Sequence, residues 1–165
     1  MKIAITGHTK GIGKCIKDLL EKDGHEVVGA STSTGINVMR PKSVISWIEK
    51  ENPDVFVNNV YAPNSQCNIL YQLYEKWQYE DKLIINMSST SGEAHTHFQQ
   101  MGYNKDWTPY VSDKARLNFA SLYLSERFNE HHRCRVTNVS PGFVRTQATT
   151  MFTPFIDEYL SLIHI

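Results

Sequence analysis

Cysteine is scarce. The three residues, Cys15, Cys67 and Cys134, are odd in number, widely spaced and in no CxxC pattern, which excludes a disulfide framework and implies reduced thiols in an intracellular protein. Charge of one sign is also lacking: 17 basic side chains face 17 acidic ones, a formal net charge of +0, so no global field draws the chain to nucleic acid or to an anionic membrane. No apolar run approaches the roughly 20 residues needed to span a bilayer, and the opening MKIAITG has too short an apolar stretch for a signal peptide. A cytoplasmic protein with neither nucleic acid nor membrane as partner is expected. Repeats and low-complexity linkers are missing too, and 165 residues allow one domain with a real core, spanning 1–165, but no separate substrate domain.

What is present is a rhythm of short apolar runs and helical patterns. Lys2 to Thr6 reads as a strand ending at Gly7, and Ile12, Ile16, Leu19 and Leu20 recur at helical spacing. Further strands are expected at Glu26–Ala30, Pro53–Val60, Lys82–Met87 and Arg135–Val139, with at most a stub at Ile36–Val38. Helices are expected at Pro41–Lys50, Asn68–Tyr79 and Tyr110–Phe128, with a long polar loop from Ser88 to Pro109. This alternation predicts an α/β fold: a three-layer αβα, Rossmann-like, doubly wound parallel sheet of about six strands. Ligands of such sheets sit at the carboxyl ends of the strands, where strand order reverses.

Gly7-His8-Thr9-Lys10-Gly11-Ile12-Gly13 leaves a strand and opens a helix. Its glycines suit a tight turn, close approach of backbone to a pyrophosphate, and close helix packing, while the helix N-terminus offers free N–H groups and partial positive charge. NAD specificity normally shows as an acidic residue about 20 residues beyond the turn; here Ser31 and Thr32 hold that place. Lys10 and these hydroxyls can receive a 2′-phosphate, so NADP(H) is expected over NAD(H). Tyr110 and Lys114 stand four apart at the start of a helix and share one face. An ammonium there favours the phenolate and brings a tyrosine, ordinarily near pKa ~10, toward the range of a general acid. Ser88 and Ser89 end the apolar strand where a hydroxyl can meet a substrate carbonyl.

Together these segments resemble the short-chain dehydrogenase/reductase family in its single-domain form. Its TGxxxGxG appears as Thr6-Gly7…Gly11-Ile12-Gly13, its NNAG as Asn58-Asn59-Val60-Tyr61, and its serine-ended strand as Ile85-Asn86-Met87-Ser88-Ser89. Its YxxxK appears as Tyr110…Lys114 and its PGxVxT as Pro141-Gly142-Phe143-Val144-Arg145-Thr146. The resemblance implies Tyr110 as the acid that protonates a carbonyl oxygen, Lys114 as the group that holds the nicotinamide ribose, Ser89 as the group that orients the carbonyl, and Asn68 as the helix asparagine behind a proton relay. It further implies cofactor contacts from Asn59, Val60, Pro141, Gly142, Val144 and Thr146, and from Asn37-Val38 at the adenine. The activity implied is hydride transfer between NADP(H) and a small-molecule carbonyl or alcohol, in a homodimer built on the Tyr110 and Asn68 helices.

The chain departs from the pattern in lacking one helix after the second strand, in bulk at Val60 and Tyr61, and in a C-terminus far shorter than the family's substrate segment. These departures leave two alternatives: a non-catalytic NADP-binding sensor, and a superfamily member acting on a nucleotide sugar. The loop to Pro109 carries His95, His97, Phe98, Tyr103 and Trp107 beside the expected substrate position. With no third ligand near His95 and His97, no metal site is expected.

Overall fold

The computed structural model describes residues 1–93, 107–142, 144 and 146. Five parallel strands run in the order β2-β1-β3-β4-β5: β1 Lys2–Thr6, β2 Glu26–Ala30, β3 Val55–Asn58, β4 Leu83–Met87 and β5 Arg135–Val139. They are joined by α1 Gly11–Lys22, α2 Pro41–Glu51, α3 Ser65–Trp77 and α4 Thr108–Ser125. The chain steps one way from β1 to β2 and the other way from β2 through β3, β4 and β5, so right-handed crossovers send α1 to one face and α2, α3 and α4 to the other.

The period-two alternation of the strands divides the core accordingly. Ala4, Phe56, Ile84 and Val136 lie under Val44 and Ile48 of α2, Leu70 and Leu73 of α3, and Leu117 and Leu124 of α4. Ile3, Ile5, Val55 and Val57 face the other way, against Ile12, Ile16 and Leu20 of α1. A buried polar ladder crosses the first face: Asn58 Nδ2 donates to Asn86 Oδ1 at 2.9 Å, and Asn86 Nδ2 to Ser121 Oγ at 3.1 Å.

Three local expectations are corrected. The described sheet has five strands where about six were expected, and residues 36–38, where at most a stub was expected, form none: a 3-10 turn over Thr32–Thr34 closes at Gly35 with φ 80°, and the Ile36 N–H donates to the Ser31 carbonyl at 3.0 Å. Ile36 and Val38 pack against the larger core instead, leaving β2 at the sheet edge. Helix α3 begins at Ser65, three residues before the expected Asn68, because Asn64 takes the left-handed conformation (φ 58°) and turns the chain into it. Helix α4 runs from Thr108 to Ser125, with Pro109 in its first turn where a missing N–H costs nothing.

Phe56, with 0% exposure, is the largest fully buried side chain among the described residues. Phe56→Ala is expected to lower the unfolding free energy by about 3–5 kcal/mol through lost burial and the cavity left behind, read as a lower urea midpoint with an unchanged slope.

Candidate active site

A cleft of about 570 Å³ opens at the carboxyl ends of β1, β2 and β3, where strand order reverses. The glycine turn lines it with Gly7, Thr9, Lys10, Gly11, Ile12 and Gly13; Ala30, Ser31, Thr32, Ile36 and Val38 form the β2 side, and Asn59, Val60 and Thr146 complete the wall. Gly7 and Gly11 have φ of 74° and 57°, the region where a side chain strains the backbone. Gly13 is required for another reason: a Cβ there would stand 2.2 Å from the Gly7 carbonyl oxygen, so α1 could not lie so close to β1. No side chain caps α1, and its first turn carries no acid. Among the described residues the wall has no carboxylate, and Lys10 is its charged residue.

Thr6 pins the two strands that bound the cleft. Its Oγ1 accepts from the Asn59 N–H at 2.9 Å and the Val60 N–H at 3.1 Å, while Asn59 Nδ2 donates to the Thr6 carbonyl at 2.9 Å. The Asn59 side chain therefore braces the turn as well as lining the cleft. On the β2 side, the His8 ring occupies the space that a Cβ on Gly29 would need, with its Cγ 2.0 Å from that position.

Other expected cofactor contacts fall outside this wall. Asn37 is exposed, and its Oδ1 accepts from the Met39 N–H at 2.9 Å, so it shapes its own turn while Ile36 and Val38 face the cleft. Pro141 accepts from the Thr90 N–H at 3.1 Å, which ties the chain after β5 to the end of β4; Gly142 and Val144 follow it, also off the wall. Thr146 comes back to the glycine turn, its Cγ2 3.8 Å from where a Gly11 Cβ would lie. His95, His97, Phe98, Tyr103 and the segment 147–165 lie outside the described residues.

At the end of β4 the second group of residues meets. Lys114 is 3% exposed, and its Nζ donates to Gln66 Oε1 and to the Met87 carbonyl, both at 2.8 Å. It stands 5.5 Å from the centroid of the Tyr61 ring and 5.6 Å from that of Tyr110. The Tyr61 and Tyr110 rings meet edge to face at 4.8 Å, and Trp107 approaches Tyr110 similarly at 6.0 Å. Asp113 secures the arrangement, accepting from the Tyr61 hydroxyl at 3.3 Å and the Asn64 N–H at 2.9 Å. Burial pushes the Lys114 ammonium from its ordinary 10.5 down to about 8, offset in part by Cys67 and Asp113.

The two serines are buried beside α4. Ser88 Oγ donates to the Lys114 carbonyl at 3.4 Å; Ser89 Oγ accepts from the Ser91 N–H at 3.1 Å and lies 3.0 Å from Ser91 Oγ. Gly92 lets this loop touch the helix, since a Cβ there would be 2.5 Å from the Lys114 carbonyl carbon. Asn68 does not join the group: it is exposed. Two residues earlier, buried Gln66 reaches Lys114. Sequence reasoning missed Gln66 because the helix was begun too late; placing Ser65 at its start puts residues 66, 69, 70 and 73 on the inner face at helical spacing.

The sequence matches no family model and no curated protein. Solved structures are nevertheless similar in fold. A short-chain dehydrogenase from Burkholderia cenocepacia, in complex with NADP, gives a TM-score of 0.71 at 16% identity over 91% of this chain and 75% of that one. The 3-alpha-hydroxysteroid dehydrogenase of a Pseudomonas species, complexed with NADH, gives 0.68 at 17% identity over 99% and 81%. The chain has the short-chain dehydrogenase fold. The same fold extends to a GDP-L-fucose synthetase from Naegleria fowleri, with a TM-score of 0.66 at 18% identity over 86% of this chain and 49% of that one. Within this short-chain dehydrogenase fold, the glycine cleft and the Lys114 group both lie at the carboxyl ends of the strands.

The lowered Lys114 pKa sets a pH dependence of stability. Below about pH 8 the amine is charged in folded and unfolded chains alike, and the full cost of burying it is present. Between about 8 and 10.5 the folded chain has released the proton and the unfolded chain has kept it, so this group's contribution to stability rises with pH. The rise sums to roughly 3 kcal/mol at about 1.4 kcal/mol per pH unit. Lys114→Met is expected to lack it, so that urea unfolding at successive pH values shows wild type gaining on the variant from pH ~8 upward.

Proposed function

We propose that the protein is a cytoplasmic NADP(H)-dependent oxidoreductase that interconverts a carbonyl and an alcohol on a small molecule, with Tyr110 as general acid and base. The supporting observation is the step from Val60 to Tyr61: Val60 lines the glycine cleft, and the next residue lies against the Tyr110 ring. The cleft and the Tyr110–Lys114 pair are thus joined through consecutive residues.

The cleft suits a dinucleotide phosphate. Uncapped N–H groups of α1 would meet the pyrophosphate, Gly13 keeps the helix close, and Lys10, Ser31 and Thr32 would receive the 2′-phosphate, with no carboxylate among the described wall residues to repel it. When bound, the cofactor supplies a hydride to the carbonyl carbon. Tyr110 holds the proton that the carbonyl oxygen gains, so hydride and proton together yield the alcohol. Lys114 stands over the Tyr110 ring, and its charge offsets the negative charge that grows on the phenolic oxygen as the proton leaves. Ser89 orients the carbonyl by turning its hydroxyl proton from Ser91 Oγ to the substrate. A homodimer is expected through the outer faces of α3 and α4, where Tyr71, Phe119, Leu122 and Tyr123 are exposed.

A second function, an NADP-binding sensor without chemistry, is favoured by the inward engagement of Lys114 Nζ with Gln66 and Met87. Turnover separates the two. In NADPH-coupled assays over a panel of carbonyl compounds, Tyr110→Phe is expected to lower kcat by about 10²–10⁴ with nucleotide affinity unchanged. Nucleotide binding with no Tyr110-dependent turnover on any compound would favour the sensor.

NADPH is expected to bind at least about tenfold more tightly than NADH, the order of one charge-assisted contact to phosphate. Lys10→Glu should remove that preference, as measured by fluorescence titration with both nucleotides; equal affinities in the wild type would rule out the 2′-phosphate contact.

A further inference from the structure

Gln66 is 4% exposed, and every hydrogen-bonding group of its amide is committed. Its Nε2 donates to the Asn58 carbonyl at 2.8 Å and to the Met87 carbonyl at 2.9 Å, and its Oε1 accepts from Lys114 Nζ at 2.8 Å. The two donor contacts fix which end of the amide faces which way, because a reversed amide would set its oxygen against two carbonyl oxygens. Its own main-chain carbonyl accepts from Asn58 Nδ2 at 2.9 Å, joining it to the polar ladder through Asn86. One side chain of α3 therefore links the ends of β3 and β4 to the ammonium carried by α4.

We infer that Gln66 is a positioning residue, whose amide holds the Lys114 ammonium between the Tyr61 and Tyr110 rings and keeps it charged in a site nearly closed to water. This inference rests on the oxidoreductase function proposed above for its effect on turnover, but its effect on Lys114 is a property of the folded chain alone. Without Gln66, Lys114 would keep one carbonyl acceptor, that of Met87, for three N–H donors. Beside it stand Cys67 and Asp113, which also raise its pKa, and the Tyr61 and Tyr110 rings, but Gln66 is the side chain that accepts a hydrogen bond from its Nζ. Cys67 on α3 is a thiol whose pKa burial raises, Tyr61 is a neutral phenol committed to Asp113, and Tyr110 presents its ring. Asp113 on its own helix spends its Oδ2 on Tyr61 and Asn64.

Two substitutions test this. Gln66→Met keeps the volume and removes the acceptor; Gln66→Glu keeps the acceptor and adds a negative charge, giving up the two donor contacts to Asn58 and Met87. The Lys114 amine is followed directly by the pH dependence of its 13Cε signal in lysine-labelled protein, assigned by its loss in Lys114→Arg, and the upper limb of the pH–kcat profile is recorded in parallel. Wild-type Lys114 is expected to titrate near pH 8, Gln66→Glu to move it up by at least about one pH unit, and Gln66→Met to move it down. The upper limb of kcat should follow in the same order.

If Gln66→Met does not fold, Gln66→Glu alone decides. An unmoved Lys114 titration in a folded Gln66→Glu protein whose stability has changed would reduce Gln66 to a structural brace and overturn the inference. A Lys114 titration that moves while the kcat limb stays still would overturn its link to the reaction. Failure of the oxidoreductase function itself shows differently, as turnover that survives Tyr110→Phe or is absent altogether, and the 13C titration still reports on Gln66.

Discussion

A primary amine buried at the meeting of β3, β4 and α4 has to be given acceptors, and much of the local architecture follows from that requirement. Moving an ammonium out of water costs several kcal/mol unless oxygen atoms replace its hydration. The Met87 carbonyl, at the last residue of β4, supplies one and the Gln66 side chain the other. Gln66 reaches the amine only because α3 begins at Ser65, close behind the end of β3. The loop after β4 must also stay tight against α4, which Gly92 permits and the Ser88 hydroxyl reinforces. The early helix start thus serves the buried charge, while the small residue in the loop lets that loop lie against the backbone of the helix that carries it.

The nucleotide cleft is a separate solution to a neighbouring problem. Its geometry depends on holding the ends of β1 and β3 together after their ladder has stopped, and Thr6 does this through three hydrogen bonds, two with Asn59 and one from the Val60 N–H. Those bonds also fix Val60 in the wall and leave Tyr61 turned toward Tyr110. The bulk at positions 60 and 61 therefore has a structural origin: Val60 fills the space beside Gly7, and Tyr61 forms an aromatic face for Lys114.

The parts of this design that follow from backbone necessity were legible in the sequence. Glycines at 7, 11 and 13, alternating apolar strands and the four-residue interval from Tyr110 to Lys114 each have one dominant physical cause, and the parallel sheet with its cleft could be read from them. Residues whose roles depend on helix phase could not. Asn68 was put forward by the resemblance, and starting α3 three residues late left Gln66 outside the expected helix, although Asn68 is exposed and Gln66 buried. A short polar turn likewise gives no periodic signal, so that the Asn37 side chain serves its own turn could not be read from the sequence. At Ile36–Val38, where at most a stub was expected, no strand forms, since Gly35 with φ 80° turns the chain back just before it.

His8 and Gly29 are sterically coupled. The imidazole lies where any side chain at 29 would begin, so the two positions share a single volume and belong to one steric unit spanning the glycine turn and the edge strand. A side chain at 29 would have to displace the His8 ring from the place it now holds, so a change at either position alters the space open to the other.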